Sequence, residues 1–499
     1  MHALVLFLAL SQGKVDPSDA FFASTKISRI TIEVGPKELQ QLRAADRTYV
    51  ACTVRLDGGL VFNKVGIHLK GAAGSFRGID DRPALSLNFD KFQSGQNFFG
   101  LDKVHLNNSV QDENYLHELI CREASRAARV PTGRSTHALV TLNNRDLGLY
   151  VLVEGLDRAF LKRNFKNSTG NLFDGGFCAE LDQPKKLLTG PKGQKDEQAD
   201  VKNLMAAARE PDLLKRLERL ETLLDIDRFW DFTAVEQILC HWDGYIRNRN
   251  NYRFYFDPSN KNRAVFLTWG MDQMLGDPNF DLRGMAGFLA TQLMQCPGQY
   301  FRYNEALRRA YVNIRPLNLE ARVDEVAAKL KPVRDVTGGA NDLKNRLRER
   351  YKVLDRLIGE LPPGPPVFDA SQSAQLDEFR PGMESGPSLI LKAACQDRTC
   401  YYIRSSQEAA ATWRNTVSLD RGKYKVEVLA RAENVQGGVS LRLSTGQKSR
   451  ALTNTTGWEK LEVEFQVNAP QEVALFLELR GRQGESFFAD DSIRLIRLP

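Results

Sequence analysis

The pattern of hydrophobic and polar positions changes twice along the chain. From about residue 26 to 155, apolar and polar residues alternate in short runs separated by turn residues, which is typical of β-strands. From about 156 to 360 apolar residues recur at helical spacing, most clearly over Asp225 to Cys240. From about 367 the alternation returns without a long helical stretch. The pattern therefore predicts a β-rich region, a helical region and a final all-β region.

The β-rich region is predicted to consist of hairpins and two short helices. Asp57-Gly58-Gly59 and Asn144-Arg145-Asp146 have the composition of tight turns. The helices are expected at Pro36 to Arg47 and Glu113 to Ala128, with Asp112 as a cap for the second. The predicted strands are Lys26 to Val34, Tyr49 to Leu56, Leu60 to Leu69, Ala84 to Phe89, Lys103 to Leu106, His137 to Asn143 and Gly148 to Glu154.

The second and third regions are separated by the stiff segment Leu361 to Pro366, the clearest boundary in the chain. Before it, a β-hairpin turning at Asp257 to Asn260 interrupts the helices, and Gln183 to Asp200 has the composition of a mobile insertion. The predicted helices are Pro211 to Leu224, Asp225 to Cys240, Gln299 to Asn313, Leu317 to Leu330 and Asp342 to Leu361. The alternating runs after the linker predict a β-sandwich over 367–499.

Three polar residues carry the candidate chemistry. Asp243 and Asn248 stand five residues apart at the end of a predicted helix, and Asp272 follows the hairpin. A kinase-type site needs one carboxylate near the attacking hydroxyl and one amide and one carboxylate for a metal bound to the phosphates. The order of these residues therefore predicts Asp243 as the base and Asn248 and Asp272 as metal ligands. The structural alternative is that Asp243 and the asparagines only cap a helix and complete a turn.

A small-residue loop follows the third predicted strand and could cover a nucleotide. Residues without bulk let backbone N–H groups approach phosphate oxygens, so Gly71, Ala72, Ala73, Gly74 and Ser75 form the candidate phosphate loop. The cation that reaches the phosphates is predicted to be Lys70 or Arg82. The alternative is an ordinary glycine-containing hairpin.

Glu118 and Arg122 lie four residues apart on the second predicted helix. Glu118 is a candidate partner of the phosphate-binding cation, as in the corresponding helix of protein kinases. The favoured alternative is a solvated surface ion pair between Glu118 and Arg122.

Composition indicates a globular protein without a nucleic-acid partner. With 499 residues, 42% of them hydrophobic, the chain can bury a sizeable core, and its net charge of +7 is spread among acidic residues, which argues against a nucleic-acid partner. Ala3 to Leu10 is too short to span a bilayer and is predicted to be part of a signal peptide over residues 1–13, although the basic start is missing. No transmembrane segment is expected, and the protein is predicted to be exported.

The seven cysteines fit no zinc pattern. Five of them are scattered in apolar settings and are predicted to be buried thiols: Cys52, Cys121, Cys178, Cys240 and Cys296. Cys395 and Cys400 are close enough in sequence to form a local disulfide. A hydrolase is disfavoured because the chain has no Gly-x-Ser-x-Gly motif and no histidine placed for a catalytic triad.

Several motifs together resemble the spore-coat protein H (CotH) kinase family over about residues 27 to 350. They are KGAAGSF from Lys70, HLNNSVQD from His105, LGLYVLVEG from Leu147, DGYIRNRNNYRFY from Asp243 and WGMD from Trp269. The resemblance implies an atypical secretory-type kinase that uses ATP with Mg²⁺ or Mn²⁺ to phosphorylate Ser or Thr of a protein. It also implies that the strand ending at Glu154 lies against the adenine. The chain departs from the family pattern at Arg82, where lysine is frequent, and at Gly270, where a second acid is usual.

The last region resembles the galactose-binding-like, jelly-roll carbohydrate-binding modules through WRNTVSLDRGKYKVEVLARA, WEKLEVEFQV and FFADDSIRLIRL. Trp413 and Trp458 are candidates for stacking on sugar rings and equally for the sandwich core. The expected fold is thus α+β: a bilobal kinase-like unit over 14–360, with lobes of about 26–155 and 156–360, and an all-β jelly-roll sandwich. The predicted function is a secretory Ser/Thr kinase; the alternative is a catalytically silent surface or adhesion protein that binds glycans.

Overall fold

The computed structural model describes residues 16–44, 47–191, 198–362, 364–395, 398–468 and 471–499. The predicted signal peptide lies outside these residues. The chain divides into two compact units, each described by itself. The first contains Met1–Glu210, Glu218–Gln292 and Ala306–Gly359; the second contains Pro211–Leu217, Leu293–Glu305 and Glu360–Pro499. Within the described residues, no helix combines the length and the apolar character needed to cross a bilayer.

The N-terminal part of the first unit is a seven-stranded sheet that closes on itself in the order β1-β2-β3-β4-β5-β7-β6. Alternating residues fill its interior, as the period of two requires, and the parallel pairing of β1 with β6 completes the ring. The strands are β1 (Ser28–Val34), β2 (Val50–Leu56), β3 (Leu60–Lys70), β4 (Ala84–Asn88), β5 (Lys103–Asn107), β6 (Ser135–Leu142) and β7 (Arg145–Glu154). Three helices accompany them: α1 (Pro17–Ala23), α2 (Pro36–Arg43) and α3 (His117–Ala127).

Beyond the barrel the chain is mainly helical, with one four-stranded sheet in the order β11-β10-β8-β9. The strands are β8 (Leu172–Asp174), β9 (Lys186–Thr189), β10 (Tyr252–Asp257) and β11 (Arg263–Thr268). The helices are α4 (Arg158–Asn164), α5 (Ala199–Ala208), α6 (Leu213–Leu223), α7 (Ile226–Ile238), α8 (Tyr245–Asn248), α9 (Phe288–Met294), α10 (Gln299–Ile314), α11 (Leu319–Leu330) and α12 (Thr337–Gly359). The mixed α and β character that the sequence predicts is confirmed.

Several boundaries differ from the predictions for local reasons. Helix α3 begins at His117 rather than Glu113, because the Asp112 carboxylate accepts a hydrogen bond from the His117 N–H and so fixes the first turn there. Helix α2 ends at Arg43. The predicted insertion contributes β9 and the start of α5, and its residues 192–197 are outside the described part.

The second unit is dominated by two packed β-sheets. One has the order β12-β22-β17-β21-β15-β14, with β19 also paired to β17, and the other has the order β13-β16-β20-β18. Their strands are β12 (Ser373–Gln375), β13 (Arg380–Ser385), β14 (Leu389–Cys395), β15 (Arg398–Ser405), β16 (Ala409–Leu419), β17 (Gly422–Glu433), β18 (Gly437–Leu443), β19 (Glu459–Val467), β20 (Gln471–Gly481), β21 (Gly484–Ala489) and β22 (Arg494–Leu498).

The core between these sheets explains their alternation. Val426 from one sheet and Leu477 from the other belong to a single buried apolar cluster, as in a β-sandwich. Trp413 is buried in the same cluster and donates its indole N–H to the Tyr402 carbonyl, so it serves as core rather than as a sugar platform. Trp458 packs against Arg398 and Arg431.

The cysteine predictions need one correction. Cys178 is exposed, in the irregular segment between β8 and β9, whereas the other four scattered cysteines are buried as predicted. Cys395 and Cys400 are buried free thiols in a small cluster with Phe487.

Candidate functional site

The loop after α7 carries Asp243 and is fixed by a buried histidine. His241 contacts the Glu236 carboxylate on α7 through Nδ1 at 3.2 Å and the Gly270 carbonyl through Nε2 at 3.2 Å. One ring therefore joins the helix to the segment that follows β11. This contact brings the two parts of the predicted site together, although 29 positions separate them in sequence.

The Asp243 carboxylate is held by three asparagine amides. Asn248 Nδ2 donates to Oδ1 at 2.5 Å, while Asn250 and Asn251 donate to Oδ2 at 3.1 and 2.7 Å. Because both oxygens accept hydrogen bonds from neighbouring residues, the carboxylate has one fixed orientation. Asp243 and Asn248 lie together, as the prediction requires; Asn250 and Asn251 were not singled out, although the run RNRNN contains them.

The segment that leads to Asp272 is connected to the same loop through Asn251. The Asn251 carbonyl accepts the Trp269 N–H at 2.9 Å, and its side-chain N–H₂ reaches the Asp243 carbonyl at 3.2 Å. Burial and the negative charges of Glu118 and Asp112 raise the pKa of Asp272 to about 6, which Lys70 only partly offsets. Its side chain is nonetheless partly exposed. Asp272 is therefore a recessed carboxylate in need of positive charge.

Lys70, at the end of β3, supplies positive charge that lowers the pKa of Asp272. Its ammonium donates to the Asn107 side-chain oxygen at 2.5 Å, and the Asn107 amide donates to Glu118 at 2.5 Å. Burial lowers the pKa of Lys70 to about 8 against the attraction of Glu118 and Asp272. Asn107 thus joins the lysine to the glutamate on α3, a connection that sequence spacing could not reveal.

The prediction that Glu118 and Arg122 form a solvated surface pair is wrong. Their side chains are 2% and 0% exposed, and Arg122 Nη2 lies 2.7 Å from Glu118 Oε1. The pair is buried because α3 packs this face inward, with Arg122 also donating to the Thr132 hydroxyl at 2.9 Å. The other prediction was that Glu118 is the partner of the phosphate-binding cation. Within the described part of the chain the two side chains are joined through Asn107, which contacts both Lys70 and Glu118.

Trp269 forms a platform that the sequence analysis named only as part of a motif. Three cations lie over its ring, at centroid distances of 5.5 Å for Lys70, 5.1 Å for Arg122 and 5.3 Å for Arg253. His105 meets the ring edge-on at 5.3 Å. The electron-rich ring face attracts cations, so it fixes three positive groups beside the Asp272 segment.

The candidate phosphate loop is a tight turn beside these residues. Gly71 has φ +106°, and the Ala72 N–H and carbonyl bond to the Ser75 hydroxyl and amide. Asn108 donates to the Ser75 carbonyl at 3.1 Å and to the Arg82 carbonyl at 2.9 Å, which fixes both ends of the segment. Among the described residues, no hydrogen bond is recorded for the N–H groups of Ala73 and Gly74. Two donors at the loop tip are thus available to an anion.

The Arg82 side chain contacts strand β7 and two tyrosines. Its guanidinium donates to the Leu147 and Leu149 carbonyls and to the Tyr115 hydroxyl, and it packs over the Tyr115 and Tyr150 rings. These contacts attach Arg82 to β7 and correct the prediction that it could clamp phosphate. Lys70 is the better placed of the two cations.

The resemblance assigns the contact with adenine to the backbone of the strand that ends at Glu154, not to the glutamate side chain. Its carboxylate is completely buried and accepts hydrogen bonds from Arg134 and Arg163. Its own N–H donates to the Arg134 carbonyl, and the Gly155 N–H donates to the Lys103 carbonyl, because β7 is an interior strand of the barrel. The side chain is structural, and neither of these two amides is free for adenine.

The donor set at the site is suited to a hard divalent cation. Magnesium prefers oxygen ligands and retains several waters, so the Asp272 carboxylate and the Asn248 amide oxygen could hold it with help from phosphates. The elevated pKa of Asp272 is an independent sign of fit, because a cation there would relieve its repulsion from Glu118 and Asp112. No cluster of three or more His, Cys, Asp or Glu residues with metal-binding geometry occurs in the described ranges.

Comparison with known proteins agrees with the motifs. The profile of the family described as "CotH kinase protein" matches residues 67–337, more than half of the chain. The chain belongs to the CotH family. The resemblance predicted from the motifs is thereby confirmed, and all the CotH-like site residues described above fall within the matched range.

Two curated relatives are invasins from Rhizopus delemar. Invasin CotH2 is 22% identical over 211 residues, covering 39% of this chain and 35% of the relative. Invasin CotH3 is 24% identical over 223 residues, covering 41% and 36% respectively. This CotH protein therefore spans about a third of the length of the relatives it matches.

Solved structures similar to parts of the chain include carbohydrate-binding modules and a putative sugar-binding protein. TmCBM61, determined with β-1,4-galactotriose, is 21% identical, covers 25% of this chain and 91% of its own, and has a TM-score of 0.19. A putative sugar-binding protein from Bacteroides thetaiotaomicron is 12% identical, with coverages of 28% and 96% and a TM-score of 0.20. A family 6 module from Cellvibrio mixtus is 12% identical, with coverages of 26% and 98% and a TM-score of 0.19.

Proposed function

We propose that this CotH protein is a bilobal kinase-like enzyme that transfers the γ-phosphoryl group of ATP to a Ser or Thr hydroxyl of an exported protein. The observation that carries the proposal is the junction between the Asp243 loop and the Asp272 segment. His241 and Asn251 connect the two, and Lys70 is near enough to influence the charge of Asp272. These are the elements that phosphoryl transfer requires: a carboxylate for the acceptor, oxygens for a metal and a cation for phosphate.

Asp243 is the proposed acceptor-binding residue. The asparagine amides hold its carboxylate in one orientation, so it can accept a hydrogen bond from the acceptor hydroxyl and take its proton during transfer. Asn248 uses its N–H₂ group on Asp243, which leaves the amide oxygen for a cation. The two ends of the Asn248 amide thus have separate roles, the N–H₂ group in holding Asp243 and the oxygen in binding the metal.

Lys70 and the small-residue loop are the proposed phosphate-binding elements. Lys70, immediately before the loop, provides positive charge, and the N–H groups of Ala73 and Gly74 provide donors within the loop. Glu118 and Asn107 hold the lysine in place, which makes them positioning residues. Bound Mg²⁺ or Mn²⁺ would supply charge neutralisation of the phosphate oxygens, with Asp272 and Asn248 as its protein ligands.

The first test measures binding and transfer separately. Thermal unfolding of the full chain with ATP and Mg²⁺ should show a metal-dependent rise in Tm that Asp272→Asn removes. Asp243→Asn should retain this rise yet lose about 10²-fold or more of the phosphate incorporated into Ser or Thr of an acceptor protein. Asp182→Asn, an exposed acid paired with Arg209, is the matched control and should behave as wild type. Absence of a metal-dependent shift in wild type would refute the proposal.

The alternative function is a surface or adhesion protein without catalysis. It is favoured by one departure at the site, since the position usually occupied by a second acid is Gly270, and by the names of the two relatives as invasins. Under this alternative the sandwich would bind glycans at the cell surface, and wild type would bind polysaccharide but show no response to ATP and Mg²⁺. Export of the protein is part of both proposals.

A further inference from the structure

A row of arginines crosses the outward face of the four-stranded sheet in the second unit. Strand register places Arg380 of β13 beside Arg414 of β16, Arg414 beside Phe476 of β20, and Phe476 beside Arg442 of β18. We call these four residues the arginine row. It runs perpendicular to the strands and spans three strand spacings, or about 14 Å.

Two of the arginines form an unfavourable pair. Arg380 and Arg414 are both exposed and stand directly opposite each other on adjacent strands. Like charges in directly opposite positions destabilise a sheet. Among the described residues no ion pair is recorded for either side chain; Arg414 contacts only the Phe476 ring, at 5.5 Å from its centroid. The sheet therefore exposes two guanidinium groups, and no carboxylate of the described residues forms an ion pair with either of them.

At the other end of the row, two carboxylates hold Arg442 in place. Glu478 is completely buried on the same face and contacts Arg442, Lys448 and Arg480 at 2.8, 2.8 and 3.0 Å. Glu384 also contacts Arg442, at 2.8 Å, and contacts Arg480. The Arg442 guanidinium lies 4.0 Å from the Phe476 centroid. The face thus has five cations, namely Arg380, Arg414, Arg442, Lys448 and Arg480, against three carboxylates, Glu384, Glu472 and Glu478.

The outward face of the other sheet lacks this imbalance. There Lys425 and Lys460 both contact Glu427 and Glu462 at distances from 2.7 to 3.9 Å. Glu427 and Glu462 stand directly opposite each other there, but the two lysines neutralise this like-charged pair. The excess of positive charge is therefore a property of one face of the sandwich.

We propose that the arginine row binds an acidic polysaccharide, with its carboxylate or sulfate groups on Arg380, Arg414 and Arg442. Arginine recognises such planar or tetrahedral anions through paired N–H donors. Arg380 and Arg414 are both exposed, so an extended polymer can reach their guanidinium groups from solvent. The proposal is independent of phosphoryl transfer.

Other polyanions fit this face less well. An extended peptide would pair along one sheet edge, whereas the row runs across all four strands and its central residues, Arg414 and Phe476, are on strands paired on both sides. Single-stranded nucleic acid needs exposed aromatic faces for its bases, and Phe476 lies between two guanidinium groups. An acidic chain of sugars needs neither of these features.

The test compares two polymers that differ only in charge. Binding of the full chain to polygalacturonate and to its fully methyl-esterified form is measured by calorimetry at low salt, with dextran sulfate as the sulfated probe. We expect binding to polygalacturonate, to dextran sulfate or to both, but not to the ester. Arg380→Ala and Arg414→Ala should each weaken Kd about tenfold. Arg404→Ala removes one exposed arginine from the other sheet and should leave Kd unchanged.

A second readout separates loss of binding from loss of folding. Because Arg380 and Arg414 repel each other, either substitution should leave Tm unchanged or raise it slightly. The proposal is overturned if wild type binds neither acidic polymer, if the ester binds equally well, or if Arg404→Ala weakens binding as much as Arg414→Ala. Equal binding of poly-glutamate would also overturn it, in favour of an acidic-peptide site.

Discussion

At the scale of single residues, Gly270 determines how the two halves of the candidate site meet. Its φ is +53°, and a Cβ at this position would lie 2.2 Å from the Asn251 side-chain oxygen. Asn251 in turn donates to the Asp243 carboxylate. The absence of a side chain at position 270 thus allows the asparagine to occupy the space beside the proposed base.

We therefore predict that restoring an acid at this position damages the site. Gly270→Asp should lower the free energy of unfolding by about 1–3 kcal/mol, because the new side chain must displace Asn251 and adopt a left-handed backbone conformation. Urea unfolding measures this change. Gly276→Asp is the control, since the nearest atom to its Cβ would be the Gln273 carbonyl oxygen at 4.0 Å. Equal stability of both variants would contradict the argument.

The motifs identified Asp243, Asn248 and Asp272 because their residue types and order are visible in the sequence. They could not decide between Lys70 and Arg82, since both follow from the same motif region and only their contacts differ. Arg82 is attached to carbonyl groups of β7, while Lys70 is connected through Asn107 to Glu118. These contacts depend on the closing of the barrel and have no signal in local sequence.

At the scale of elements, helix α3 and strand β20 both bury charged side chains at positions where their sequence patterns predict exposure. The Glu118–Arg122 spacing is the same whether the face is solvated or buried, so the prediction of a surface pair was wrong for lack of information on packing. Strand β20 gives a similar case. Its outward position 478 carries a glutamate that neighbouring cations cover completely.

Glu478 leads to a pH-dependent prediction. Burial alone would raise the pKa of its carboxyl group, but hydrogen bonds from Lys448, Arg442 and Arg480 outweigh burial and hold the pKa at about 2. Because the folded pKa lies below the usual value of 4.5, the carboxylate stabilises the fold above about pH 4.5, and this contribution is lost as the pH falls toward 2.

Glu478→Gln should accordingly destabilise the protein by about 3 kcal/mol at pH 7 and by much less near pH 2.5. Urea unfolding at several pH values measures the difference from wild type. Glu472→Gln, at an exposed position on the same strand, should have little effect at either pH. A penalty for Glu478→Gln that does not vary with pH would show that lost packing, not charge, is the cause.

At the scale of the whole molecule, the seven cysteines report on the fold. Only Cys178 is exposed, and burial raises the pKa of Cys52 to about 12 and of Cys240 to about 11, which suppresses their thiolates. The native chain should therefore react rapidly with about one equivalent of a thiol reagent, and Cys178→Ser should abolish that reaction.

The same titration under denaturing conditions tests the possible Cys395–Cys400 disulfide. All seven thiols should react if the pair is free, as in the structure, whereas five should react if the pair has oxidised. A native protein with several rapidly reacting thiols would contradict the burial described for the other six.

The sequence by itself determined the character of each region and the residues able to do chemistry. Local alternation and helical spacing are properties of consecutive residues, so strands, helices and turns follow from them. The carboxylate and amide types at 243, 248 and 272 likewise limit the chemistry available to the first unit.

Tertiary structure alone decided which charges meet, because strand register and packing join residues far apart in the chain. It placed Asn107 between Lys70 and Glu118, engaged Arg82 with β7, and aligned Arg380 with Arg414 and Arg442 across four strands. A shift of one residue in register would turn those arginines toward the core. The charge environment of both proposed sites is therefore a consequence of long-range pairing, to which local sequence patterns are insensitive.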